Sequence, residues 1–345
     1  MKIGKRKIGE NHPAFIIAEA GVNHNGEISQ AKKLVDAAAD SGADAVKFQT
    51  YTSEEVTTKS ATSADYAQKN LKNNLTQLQL LKKYELTFED FHTIKDYCDQ
   101  QNIIFLSTPH SFDAIDFLEP LVPAYKFGSG DLTNHPTLKY AAKKNKPIIL
   151  GTGMSTLEEV KKAIKEIYST GNKQVIALHC TTSYPCPLEE ANLQAITTMK
   201  KKLNCLIGFS DHTTSLIPPI IATALGVKVI EKHFTLDRKF TGPDHKASIE
   251  PDELTKMIQY IKETEKILGS YEKKPTTSEE KIKLIVRKSI IANTDIKPGL
   301  KFTENMLTIK RPCNGLPPSE IKKIIGKKAK TYIKKDTPIQ KNMVE

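Results

Sequence analysis

From Phe15 onward the chain alternates between short runs rich in Ile, Val and Phe and longer stretches with apolar residues at helical spacing. The first kind reads as buried strands and the second as amphipathic helices. Strands are expected at Phe15–Glu19, Ala45–Gln49, Ile103–Thr108, Ala124–Gly128, Pro147–Gly151, Val175–Cys180, Leu206–Ser210 and Lys228–His233. Helices are expected at Ser29–Ser41, Thr87–Gln100, Ser111–Glu119, Pro136–Lys144, Thr156–Thr170, Glu190–Lys202, Ser215–Leu225 and Pro251–Leu268. Ser29, Thr87, Ser111 and Thr156 stand where N-caps belong. Eight β-then-α units in succession predict a closed parallel (β/α)8 TIM barrel. The competing arrangement is an open doubly wound sheet. It would carry a Gly-rich phosphate turn after the first strand, and AGVNHNG is not GxGxxG.

Two segments break the rhythm. Tyr51–Leu80 is long and polar for a βα connection, which marks it as a functional or flexible loop on the face where barrels keep their chemistry. After Leu268 the texture changes to a polar linker and then to short apolar runs split by turn signals such as Lys297-Pro298-Gly299. The expected organisation is a catalytic barrel over residues 1–270, a linker over 271–284 and a small β-rich domain over 285–345.

Charge sharpens this division. The chain of 345 residues has a net charge of +11. Residues 1–272 balance at 33 Lys+Arg against 33 Asp+Glu, and residues 273–345 carry 18 against 7. The excess therefore belongs to the tail, and a balanced barrel argues against nucleic acid as the partner. The five cysteines show no CxxC pair, as expected for reduced thiols in the cytoplasm. Glu19 cuts the first apolar run too short for a signal peptide, and no run reaches membrane-spanning length.

Polar residues at the C-terminal ends of barrel strands read as catalytic. Here they include Glu19; Lys47 and Gln49; Ser107 and Thr108; Lys126, Ser129 and Asp131; Thr152 and Ser155; His179, Thr181 and Tyr184; Ser210, Asp211 and His212; and Glu231 and His233. Such a rim suits a small anionic, phosphorylated substrate beside a divalent metal. His212 and His233 stand at adjacent strand ends, each near an acidic residue (Asp211, Glu231), the arrangement of oriented ligands. Each also has a plainer reading, as a hydrogen-bonded structural histidine. Lys47 and Lys126 could equally be rim or ion-paired lysines, and His179 lies inside an apolar strand, as a core residue would. Glu231 and Lys232 point to opposite faces of their strand, so at least one need not face the site.

These segments resemble the nonulosonate (sialic acid) synthases, in their N-acetylneuraminate and legionaminate branch. The resemblance is carried by IAEAGVNHNG (Ile17–Gly26), GADAVKFQT (Gly42–Thr50), STP (Ser107–Pro109), KFGSGDLTN (Lys126–Asn134) and GMS (Gly153–Ser155). It continues through LHCTTSYPCP (Leu178–Pro187), GFSDHT (Gly208–Thr213), ALGVKVIEKHFTLD (Ala224–Asp237), GPDHKAS (Gly242–Ser248) and KRPCNGL (Lys310–Leu316). It implies a TIM barrel followed by an antifreeze-like SAF domain, and a domain-swapped homodimer in which each small domain caps the partner's barrel. It also implies condensation of phosphoenolpyruvate with an open-chain N-acetylated hexosamine. Residue by residue, it makes His212 and His233 ligands of Mn²⁺ or Mg²⁺ and Glu19 the catalytic carboxylate. Lys47, Thr108, Lys126, Ser129, Ser155 and Ser210 would surround phosphoenolpyruvate. Gln49, Asp131, Tyr184 and Asp244 would lie near the sugar, and Arg311 would cover its acetamido group from the partner subunit. Asp131 stands where many members have Glu, which leaves the sugar open, a pseudaminate precursor included.

Two other readings stay open on sequence. A Schiff-base aldolase would use Lys126 or Lys47 and need no metal. A binding module would use the basic tail and bind in a steeply salt-dependent way.

Overall fold

The computed structural model describes residues 1–63, 68 and 75–345. It divides into two compact units, Met1–Gly269 and Ser270–Glu345.

The first unit opens with a hairpin, β1 (Lys2–Ile3) and β2 (Arg6–Lys7), followed by eight parallel strands. These are β3 (Phe15–Gly21), β4 (Ala45–Thr50), β5 (Ile104–Pro109), β6 (Tyr125–Phe127), β7 (Ile148–Gly151), β8 (Val175–His179), β9 (Leu206–Asp211) and β10 (Val229–His233). The hydrogen-bonded order is β5-β4-β3-β10-β9-β8-β7-β6, and β5 and β6 lie side by side to complete the ring. The fold is a TIM-like barrel, as the pattern of the chain predicts.

Strand parity sorts every residue of the ring. Phe15, Ile17, Ala45, Leu106, Ala124, Ile149, Ile176, Leu178 and Val229 turn inward and pack together, and Ile3 and Ile8 of the hairpin region join them. Their neighbours Ile16, Val46, Phe105, Phe127, Leu150, Ala177, Phe209 and Ile230 turn outward and meet the helices in the larger core. The same inward parity, continued toward the strand C-termini, runs through Glu19, Lys47, Thr108, Lys126, Ser210, Glu231 and His233. An apolar floor therefore carries a charged upper layer.

Helix starts follow local chemistry. Thr87, Ser111 and Thr156 each accept a hydrogen bond from the backbone three residues on, with capping boxes at Thr87 and Thr156. Ser29 does not cap. The helix begins at Ile28, so Ser29 lies in its first turn and Glu27 holds the cap position without a side-chain bond. A tight turn decides this: Gly26 at φ +78° and the bond from Glu27 N–H to the His24 carbonyl bring the chain into helix earlier than Ser29 signals. Within the expected loop Tyr51–Leu80, residues 53–56 are helical, and a helix over Gln77–Tyr84 starts at a Thr76 capping box. Residues 64–67 and 69–74 of that loop lie outside the described residues.

In the second unit, β11 (Ser289–Ala292) pairs antiparallel with β12 (Leu307–Lys310). Ile290, Ile296, Phe302, Ile324, Ile333 and Ile339 form its core. The stretch expected as linker is helical over Thr277–Val286, starting from a Thr276 capping box. Arg311 is exposed just beyond β12.

Candidate active site

The charged layer closes around two buried lysines. Lys47 Nζ lies 2.5 Å from Glu19 Oε2 and 3.7 Å from Glu231 Oε2, and it donates to Thr108 Oγ1 at 3.1 Å. Lys126 Nζ lies 3.3 Å from Glu231 Oε1, which also accepts the Ser210 hydroxyl at 2.8 Å. Glu19, Lys47, Lys126 and Glu231 are each at most 4% exposed. Charges removed from water this far persist only when paired.

The two carboxyls are driven apart. Burial raises Glu19 above the usual carboxylate range, with Lys47 opposing and Glu231 adding to the rise. Burial would raise Glu231 too, but Lys126 and Lys47 outweigh it and hold this carboxylate below its usual range. One group is thus fixed as an anion and the other is poised to exchange a proton, the division of labour that acid–base chemistry uses. Lys47 is held as the ammonium, because Glu19 and Glu231 overcome the effect of burial.

His212 and His233 face each other with ring centroids 5.5 Å apart. His212 Nδ1 lies 2.6 Å from the Thr181 carbonyl, which can only accept, so Nδ1 carries the proton and Nε2 presents its lone pair. That Nε2 lies 3.2 Å from Tyr184 Oη and 3.4 Å from Ser210 Oγ. His233 Nδ1 is buried without a hydrogen-bond partner. Burial lowers the pKa of both rings, and the His212 ring lowers His233 further. Neutral imidazoles are what a metal requires. Gly21, at φ +53°, leaves open the space between Glu19, Gln49 and His233 that a Cβ would enter.

The cavity lined by these groups also includes Gln49, His110, Ser129, Cys180 and Tyr184. Ser129 Oγ accepts the Gly153 N–H at 3.0 Å and lies 3.2 Å from Cys180 Sγ. Gln49, Tyr184 and His233 also line a second cavity of about 200 Å³, with Val22, Tyr51, Leu81, Tyr84 and Asp244 among its walls. Asp131 sits at the margin, 4.0 Å from His110 Nδ1. Burial raises Asp131 to about 6, opposed by Lys126, and raises Asp244 to about 6 as well. Ser155 turns back to the Gly153 carbonyl at 3.2 Å and does not line either cavity. Arg311 belongs to the second unit.

Apart from glycines, three residues that line the first cavity, Glu231, His110 and Cys180, had no site role assigned from the sequence. Glu231 stood among the polar strand-end residues but carried no assigned role, although it shares His233's parity and meets both lysines. His110 and Cys180 were legible in the same way, each two residues beyond an inward position (Thr108, Leu178). His179, by contrast, faces out: it bonds to the Ala191 carbonyl at 2.9 Å and stacks on Phe209.

The residues present fit a divalent metal held at His212 Nε2 and His233, since both offer neutral imidazoles and one buried ring nitrogen lacks a partner. Among the described residues, no group of three or more His, Cys, Asp or Glu side chains is placed to hold a metal ion. Two protein ligands would leave most of the coordination shell to substrate and water.

Fold and site together define a TIM-barrel protein whose strand ends carry a buried lysine–carboxylate–histidine centre. The chain belongs to the NeuB family, whose profile it matches over residues 34–273, and it matches the SAF domain over 287–345. It is 44% identical to the N,N'-diacetyllegionaminic acid synthase of Campylobacter jejuni over 94% of this chain and 98% of that one. With the enzyme of the same name from Legionella pneumophila the identity is 41%, over 94% and 92%. The crystal structure of N-acetylneuraminic acid synthetase from Leptospira borgpetersenii in complex with citrate superposes with a TM-score of 0.74 at 36% identity, covering 82% of this chain and 94% of that one.

Proposed function

We propose that this protein is a metal-dependent nonulosonate synthase. It joins phosphoenolpyruvate to the open-chain form of an N-acetylated hexosamine and releases phosphate. The observation that carries the reading is the upper layer itself: two buried lysines, a split carboxylate pair and two neutral histidines around one cavity, in a chain of the NeuB family.

Lys47 and Lys126, with Thr108, Ser129 and Ser210, receive the phosphate and carboxylate of phosphoenolpyruvate. Ser155 joins them only by turning from the Gly153 carbonyl. His212 and His233 would hold Mn²⁺ or Mg²⁺, which would supply Lewis acidity toward the aldehyde oxygen. C3 of phosphoenolpyruvate forms the new bond to the aldehyde carbon, and C2 becomes electron-deficient. Glu19 takes a proton from the water that adds at C2. The C2–O bond to phosphate then breaks: phosphate leaves with that electron pair, the C2 hydroxyl gives up its proton to the departing phosphate and becomes the keto group, and the proton held by Glu19 passes to the alkoxide left at the former aldehyde carbon. Glu231 stays ionised and keeps Lys126, Lys47 and Ser210 in place. Gln49, Asp131, Tyr184 and Asp244 meet the sugar. The basic second domain serves the same chemistry if Arg311 of a partner subunit covers the acetamido group in a domain-swapped homodimer.

A Schiff-base aldolase is less favoured, because Lys47 is held as a cation rather than as the free amine that would attack a carbonyl.

The test is phosphate release from phosphoenolpyruvate with Mn²⁺ or with EDTA. One arm contains N-acetylmannosamine, a second 2,4-diacetamido-2,4,6-trideoxymannose and a third the pseudaminate precursor. Release that requires metal and is fastest with the second sugar is the expected result, given the similarity to legionaminic acid synthases. Release unaffected by EDTA, with borohydride trapping of pyruvate on the protein, would replace this mechanism with the aldolase.

A further inference from the structure

Behind the two histidines lies a second set of buried polar groups that does not line the cavity. Lys232 and Asp211 are register partners on β10 and β9, each one residue before a site histidine. Parity turns Glu231, His233 and Ser210 into the barrel and turns this pair outward, toward the helices. Lys232 is completely buried, yet it is not isolated. Its Nζ lies 2.5 Å from Asp211 Oδ2 and donates to the Thr213 carbonyl and, at 3.1 Å, to the Ser215 carbonyl. Asp211 Oδ1 accepts the Thr213 N–H at 2.9 Å, and Oδ2 accepts the Thr213 hydroxyl at 3.2 Å. Ser215 N–H in turn donates to Thr213 Oγ1 at 3.2 Å.

All of these bonds converge on the segment that leaves β9 and carries His212. We propose that Lys232 and Asp211 are positioning residues: they clamp residues 211–215 to β10 and so set the His212 ring beside His233. A buried ion pair is a poor stabiliser, since well-packed apolar residues of similar volume often serve as well or better. Its distinctive contribution here is geometric. The clamp fixes the backbone on one side of His212, while the bond from Cys186 N–H to the His212 carbonyl at 2.8 Å and the Thr181 carbonyl on Nδ1 fix the rest. A centre with only two protein ligands has little tolerance for error in either. In its consequence for metal this inference rests on the function proposed above.

The test compares the full-length wild type with Asp211→Leu/Lys232→Met, which replaces the pair by apolar side chains, and with Thr213→Val, which removes one arm of the clamp. Mn²⁺ binding is read from the amplitude of free Mn²⁺ in electron paramagnetic resonance, without turnover, and clamp integrity from hydrogen exchange at the Thr213 and Ser215 amides. The double variant is expected to bind Mn²⁺ about tenfold or more weakly and Thr213→Val about threefold, both with faster amide exchange. Leu138→Ala, a core truncation away from the clamp, is expected to lose thermal stability while keeping Mn²⁺ affinity within about twofold. Wild-type-like Mn²⁺ affinity in both clamp variants would overturn the proposal, as would equal weakening in Leu138→Ala. If the double variant does not fold, Thr213→Val decides by the same criteria. A wild type that binds no Mn²⁺ removes the metal reading instead, and unchanged exchange at the two amides would then overturn the clamp.

Discussion

Glu19 shows how much one residue's environment decides. Its sequence context, an acid at the end of an apolar run, marks it as unusual, but its proton affinity follows from burial, opposed by Lys47 on β4 and reinforced by Glu231 on β10. Because burial raises its pKa, the carboxylate form that accepts a proton is gained as pH rises through that higher value. The value of kcat/KM for phosphoenolpyruvate is therefore expected to rise with pH across this ionisation. Glu19→Gln should lose about 10²-fold or more in kcat and flatten that limb. A variant with an unchanged pH profile would take Glu19 out of the chemistry. Asp131 and Tyr184 belong to the same scale: both were legible as polar strand-end residues, but only their partners, His110 and His212, show where they sit.

At the scale of elements, the strands were legible because buried parallel strands are nearly continuous apolar runs, and the helices because their apolar positions repeat every three to four residues. Strand ends moved by a residue or two, as ends do. The missed cap at Ser29 has a local cause, the Gly26 turn. The hairpin of β1 and β2 gave no usable pattern, since two-residue strands are too short to show a period. Close packing between strands adds a constraint that no propensity reveals. A Cβ on Gly208 would stand 2.4 Å from Leu178 Cδ2 and 2.6 Å from the Val229 carbonyl oxygen. Gly208→Ala must push β9 away from its neighbours and is expected to cost about 1–3 kcal/mol in urea unfolding. Wild-type stability would mean the barrel yields at that point.

At the scale of the whole molecule, buried acids make stability depend on pH. Asp244 titrates near 6 in the folded protein, against 3.8 ordinarily. Between those values the folded state holds the proton that the unfolded state has released, so this group's contribution falls as pH rises and its full penalty applies above about 6. Asp244→Asn should therefore raise Tm relative to wild type at pH 7–8, and the gain should vanish near pH 4. His24 and His245, each lowered to about 4 by burial, act in the opposite sense, removing stability as pH falls below 6.5. They cancel in a comparison of the two proteins. A Tm difference independent of pH would show that Asp244 is not buried as a neutral acid. The charge excess confined to residues 273–345 has a consequence at this scale too. If Arg311 reaches a partner's sugar, Arg311→Ala will raise KM for the hexosamine by about tenfold or more and leave that for phosphoenolpyruvate nearly unchanged. Equal effects on both would remove Arg311 from the sugar.

The order of apolar and amphipathic segments alone determined a barrel followed by a smaller domain, because burial periodicity is a local property of the chain. It also determined which residue types gather at strand ends, since parity and strand termini can be counted. What it could not determine was which charges pair. Strand register sets Lys47 beside Glu19 and Lys232 beside Asp211, and Lys126 meets Glu231 only because closure of the ring brings their separate strands within reach. That closure also divides two adjacent residues, Glu231 and Lys232, between the cavity and the outer core. Their sequence neighbourhood is shared, but their dielectric surroundings and their partners are not.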